Sequence, residues 1–241
     1  MANKPKRQPE SSRRATVEAL RREQKRQERR KTMLIVGVAA LIGALIIGGS
    51  AFSLLRDRAN DPKRKAIASF GVAADEAGCT EVTTIPESGQ GDHVPVGQPV
   101  DYGAEHPPVT GRHAEQWAQG ARKFYTREDR PQLEQLLHNM EHGYTIVWYD
   151  GTIKGEQLEA LEGLSERVPR EREKTVGKFI VAPYGVDDRE KAFPNGKHIA
   201  LTHWGAQKKA YRQYCSSVSG EAVEKMITAH PYTDSPEPQG G

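Results

Sequence analysis

The stretch His138-Asn139-Met140-Glu141-His142 holds the densest set of reactive side chains in this 241-residue chain. On an α-helix, residues four apart share a face, so both imidazoles would aim the same way, with Glu141 close beside them. Two imidazoles and a carboxylate on one face form a metal-ligand set. Imidazole suits zinc, copper, nickel or iron, so residue type alone does not select the ion; one zinc or copper ion is the expected cofactor. The pattern H-x-x-E-H is also that of inverted zinc proteases, where the glutamate is the base. Those sites lie inside a longer helix and use a further acidic ligand, whereas Gly143 here ends the helix at once.

Seven of the eight histidines fall between His93 and His203. A third ligand is expected from His113, at the end of residues 106–113, where Pro107 and Pro108 forbid a helix and stiffen the loop. A stiff loop lowers the cost of ordering a ligand. His106 shares that loop, and His203 follows an apolar stretch. The expected site is therefore His113, His138 and His142, with Glu141 as a ligand or beside one. For any single histidine the competing expectation is a ring at the core edge, bonded to backbone. Glu141 is the one candidate for a catalytic base. No G-x-S-x-G, C-x-x-C or glycine-rich phosphate loop occurs, which removes the usual support for a serine nucleophile, disulfide exchange or nucleotide binding.

Several elements must position these residues. Pro131 starts a predicted helix over residues 131–142, which Gly143 stops. Residues 144–149 are β-branched and aromatic and predict a strand. Residues 154–167 predict an amphipathic helix with Leu158, Leu161 and Leu164 inward. Short strands are expected at 81–85, 179–182 and 199–202, with extended chain at 93–102. Helices are expected at 110–122, 206–215 and 219–229. The mixture predicts one α+β domain with a small sheet and several helices.

Charge divides the chain sharply. Residues 1–31 carry 12 Lys and Arg against 4 Glu, whereas the remainder carries 23 basic and 28 acidic side chains. The overall basicity thus belongs to the tail, and no nucleic-acid partner is expected. Between Lys31 and Arg56 lie 24 residues without a charge. At about 1.5 Å per residue they cross a hydrocarbon core of roughly 30 Å. The basic flank (Arg21, Arg22, Lys25, Arg26, Arg29, Arg30 and Lys31) is expected to stay cytoplasmic, near anionic lipid headgroups. A cleaved signal peptide, with Ala51 and Ser53 near the cut, is the rival; the apolar run exceeds the usual 7–15 residues of such a peptide. Ala40, Ala44 and Gly48 recur every four residues and could pair two such helices as a homodimer.

The expected organisation is a basic cytoplasmic tail (1–31, loose over 1–13), a transmembrane helix (32–55), a juxtamembrane linker (56–69), an extracytoplasmic domain (70–232) and a flexible tail (233–241). An oxidising compartment makes Cys79 and Cys215 an expected disulfide.

Several motifs occur in one order: Cys79-Thr80, His93-Val94, Pro107-Pro108-Val109-Thr110-Gly111-Arg112-His113, His138 through Tyr144, and Leu201-Thr202-His203-Trp204-Gly205. In this order they resemble the domain-of-unknown-function family 3105 over residues 79–230. The resemblance implies a membrane-anchored protein of the kind found in high-GC Gram-positive bacteria. It implies architecture and the place of the site, not a reaction. Thr110, Met140 and His203 depart from the family pattern, and the last departure argues against a family-wide role for His203. Three functions are compatible with all this: a membrane-tethered domain with a His-rich metal site, a non-catalytic cell-envelope interaction module, or a metal-dependent hydrolase built on His138, Glu141 and His142.

Overall fold

The computed structural model describes residues 10–88, 92–104, 106–119, 122–187 and 189–240. The chain divides into two units, Met1–Ala59 and Asn60–Gly241. The first is one helix, α1 (Glu10–Asn60), continuous through the apolar belt. It is long and apolar enough to cross a membrane, a property that anchors and signal sequences share. Of the tail expected to be loose, residues 1–9 lie outside the described residues, and residues 10–13 are already helical. Arg, Glu, Gln and Ala are strong helix formers, and an adjoining helix removes the cost of nucleation.

The second unit is built on a five-stranded mixed sheet of order β1-β7-β6-β4-β5. Its strands are β1 (Thr83–Pro86), β4 (Thr145–Tyr149), β5 (Phe179–Pro183), β6 (Ile199–Gly205) and β7 (Lys209–Cys215). β4 and β5 run parallel, joined by the crossover helix α3 (Glu156–Arg167), and the other pairs are antiparallel. A separate parallel pair, β2 (His93–Val94) and β3 (His113–Ala114), stands beside the sheet in the fold's order. The domain is α+β, with a mixed sheet and several helices.

Both faces of β4, β5 and β6 are covered, so every residue of these three strands is buried and they do not alternate between core and solvent. One face packs Val147, Phe179, Val181 and Leu201 against Leu161 and Leu164 of α3 and Val223, Met226 and Ile227 of α4 (Gly220–Ala229). The other packs Ile146, Trp148, Ile180 and Trp204 against Leu133, Leu136, Leu137 and Met140 of α2 (Leu133–Glu141). α4 starts where Ser219 accepts the Ala222 N–H with its hydroxyl.

Several sequence expectations change. Residues 206–215 form a turn and the strand β7 (Lys209–Cys215), not a helix: Gln207 and Lys208 take positive φ, turn the chain back, and send β7 along β6. The described residues of 110–122 (110–119 and 122) are not helical either, because the backbone at 113–115 bonds to Asp92 and Val94 instead. The linker at 56–69 is partly core, since Ile67 is buried in the same cluster as residues of α3 and α4. A Cβ on Gly220 would lie 1.8 Å from the Ile67 carbonyl oxygen, so only glycine allows that approach. The tail over 233–240, expected to be flexible, is hydrogen-bonded to Ala206, His203, Glu141 and Lys178. Cys79 and Cys215 are joined across 136 residues of chain.

Candidate metal centre

Three pieces of chain bring four side chains together. β2 and β3 pair in register so that His93 stands directly opposite His113. α2 lies against β3 and supplies His138 and Glu141 from successive turns. The three imidazole centroids are mutually 4.8 to 4.9 Å apart. One carboxylate oxygen, Glu141 Oε2, is 3.0 Å from His113 Nε2, 3.9 Å from His93 Nε2 and 4.0 Å from His138 Nε2. One nitrogen or oxygen from each of the four residues lies within 4.8 Å of the others.

The orientation of the rings is set by backbone. His113 Nδ1 lies 2.8 Å from the Gly111 carbonyl, and His138 Nδ1 lies 2.6 Å from the Ala114 carbonyl. A carbonyl oxygen only accepts, so each Nδ1 carries the hydrogen and donates. In the neutral ring this leaves the Nε2 lone pair facing the site. The 3.0 Å contact between His113 Nε2 and Glu141 Oε2 then sets two acceptors against each other, and only a positive species between them, a proton or a metal ion, makes it favourable. Metal-bound histidines commonly have their second nitrogen bonded in this way. Asn139 braces the same region: its Oδ1 accepts the Ala118 N–H at 3.0 Å.

Electrostatics point the same way. Burial pushes the His138 imidazolium down to about 4; the neighbouring His113 and His142 rings add to that, while the Ala114 carbonyl and Glu141 oppose it. Burial pushes the Glu141 carboxyl up, but the His113 hydrogen bond and the surrounding His113, His138 and His93 outweigh it, so the carboxyl falls below its ordinary value. A neutral imidazole and an ionised carboxylate are the protonation states that ligation needs. Donors around a tetrahedral zinc ion at about 2.0–2.1 Å stand roughly 3.4 Å apart, within reach of these separations by small side-chain rotations. Three imidazoles and a carboxylate, with no thiolate, fit a first-row divalent ion of borderline hardness. His113, His138 and Glu141 are buried, whereas the His93 side chain is 49% exposed and forms the solvent side of the group.

Of the expected site residues, His113, His138 and Glu141 converge. His142 stands next to this group but is not one of the four residues whose donor atoms meet. The helix proper ends at Glu141, and His142 is its C-cap; its ring centroid stands 4.7 Å from that of His138, and its buried Nε2 has no hydrogen-bond partner among the described residues. Its Nδ1 faces the Glu237 carbonyl at 3.2 Å, and Trp117 packs edge-on against it. His93 takes the fourth place. Sequence spacing did not point to it, because only the pairing of β2 with β3 brings it near; its one signal was the motif His93-Val94. The remaining histidines are fittings of the fold. His106 bonds Tyr184 and the Gly103 carbonyl, His198 bonds Asp150, and His203 lies between Thr145 and the Asp234 carbonyl.

Residues 93–241 match the family described as Protein of unknown function (DUF3105). The chain belongs to this family. No curated protein and no solved structure matches it. The DUF3105 match begins at His93, the first of the four converging residues, and runs through the C-terminal tail; Cys79 lies before it.

Proposed function

We propose that this DUF3105 protein is a membrane-tethered, extracytoplasmic domain whose His93, His113, His138 and Glu141 bind one transition-metal ion, zinc or copper. The observation that carries the proposal is the pair of Nδ1–H bonds to the Gly111 and Ala114 carbonyls, which turn the ring lone pairs of His113 and His138 toward a shared carboxylate oxygen. A proton shared by His113 and Glu141 would satisfy that pair alone; three imidazoles and a carboxylate suit an ion. Glu141 is itself among the donors, which disfavours its use as a detached hydrolytic base. The apolar belt of α1 serves as the anchor, with the arginine- and lysine-rich flank in the cytoplasm against anionic headgroups and Ala40, Ala44 and Gly48 open to a second copy.

Equilibrium dialysis of the full-length chain in detergent against zinc and against copper tests the site. One tightly held ion per chain is expected, and His113→Ala with His138→Ala should abolish it. Absence of stoichiometric binding, or binding indifferent to that double substitution, removes the proposal. Protease shaving of intact cells tests the topology: the C-terminal domain should be digested without opening the membrane.

A further inference from the structure

The end of α2 is closed by a Schellman motif. The Tyr144 N–H donates to the Asn139 carbonyl at 3.1 Å and the Gly143 N–H to the Met140 carbonyl at 2.9 Å. Gly143 makes this closure with φ +88°, and a Cβ there would lie 2.3 Å from the Tyr232 carbonyl oxygen. The motif leaves two terminal carbonyls, those of Glu141 and His142, without a partner from the helix. Both residues are buried, so both carbonyls need a donor.

The donors come from elsewhere in the chain. Glu141 O accepts the Glu237 N–H at 3.0 Å. His142 O accepts from the Lys178 ammonium at 2.8 Å. The same ammonium donates to the Pro238 carbonyl at 2.9 Å and the Gly240 carbonyl at 2.6 Å, so its three protons meet three carbonyls. His142 Nδ1 returns a bond to the Glu237 carbonyl. Gly240 lies so close to the His142 ring that a Cβ would come within 2.2 Å of it. Lys178 thus places a buried cation at the negative end of the helix and ties it to the C-terminal tail.

We propose that Lys178 and the strap of residues 236–240 are positioning elements of the metal site. They hold the last turn of α2, and with it Glu141 and His138, in line with His93 and His113. α2 has nine residues and no side-chain N-cap bond, too little for the helix to keep its terminal geometry unaided. Glu141 is its final residue, so fraying would move this ligand before any other. The inference rests on the metal-binding proposal above.

Two variants of the full-length chain in detergent test it: Lys178→Met, and a stop codon after Ser235. Each is expected to weaken zinc binding 10- to 100-fold, the range seen when groups that orient metal ligands are lost. Cobalt(II) in place of zinc reports the ligand set. Its visible bands in both variants should shift toward those of Glu141→Gln, a change that lowered stability alone does not produce. If Lys178→Met fails to fold, the truncation decides, since it removes only residues beyond the last strand and helix. Wild-type zinc affinity and cobalt bands in the variants overturn the strap and leave the metal site standing. No stoichiometric zinc or cobalt binding by the wild-type chain overturns both.

Discussion

His113 and His203 are equally buried, on opposite faces of one sheet, yet their ring nitrogens are used differently. His203 spends both: Nδ1 faces the Thr145 hydroxyl at 3.0 Å, and Nε2 donates to the Asp234 carbonyl at 2.6 Å. Because Nε2 carries the hydrogen, Nδ1 accepts from the hydroxyl, and no lone pair is left over. His113 and His138 each commit one nitrogen to a backbone carbonyl and turn the other toward further donors. Burial therefore does not separate a clustered ring from a fitting of the fold in this protein. The accounting of ring nitrogens separates His113 from His203; His142, with Nδ1 on the Glu237 carbonyl and a buried Nε2 without a hydrogen-bond partner among the described residues, is not spent as His203 is.

Substitution on the two faces should break that comparison cleanly. His113→Ala is expected to lower metal affinity by at least about 100-fold, because it removes a ligand and leaves Glu141 and the Gly111 carbonyl without their partner. His203→Ala should leave metal affinity as in wild type but cost about 2–4 kcal/mol in folding stability, through a cavity and two stranded polar groups. Dialysis together with urea unfolding of both variants separates these outcomes, and equal effects on affinity would erase the distinction.

pH sharpens it. Burial, with the nearby His230, holds the His203 imidazolium down to about 4, against the opposing pull of Asp234. In the unfolded chain an imidazole titrates near 6.5. Above that value neither state is charged. As pH falls from about 6.5 toward 4, the unfolded chain takes up a proton that the folded chain refuses, so stability is lost, by about 3 kcal/mol in total. Urea midpoints measured across this window should show the slope, and His203→Gln should lack that part of it.

The smallest expected effect concerns His142. His142→Ala should keep one bound ion per chain, with affinity changed by less than about tenfold, whereas His93→Ala should weaken binding by ten- to a hundredfold or more. Titration of both variants with zinc decides which histidine completes the group.

Much of this protein follows from local pattern. The uncharged belt, the strands at residues 144–149 and 179–182, and the helices ending at Gly143 and Arg167 are set by composition and periodicity over a few neighbours. Those signals also carried His138 and Glu141, which one helix turn places together. They failed where a residue's conformation depends on a distant one. The helix formers of residues 206–210 yield to a tight turn and to β6, and the Pro-, Ser- and Gly-rich tail is ordered by a lysine about sixty residues upstream. His142 had the right spacing and packs beside His138, but its Nδ1 turns to the carbonyl of Glu237 in the tail, and His93 had no spacing at all. The sequence alone determined which side chains could ligate a metal; tertiary structure chose among them, because a ligand set requires nitrogens to meet at one point, and β-pairing, helix closure and a terminal strap, not chain separation, decide where that point lies.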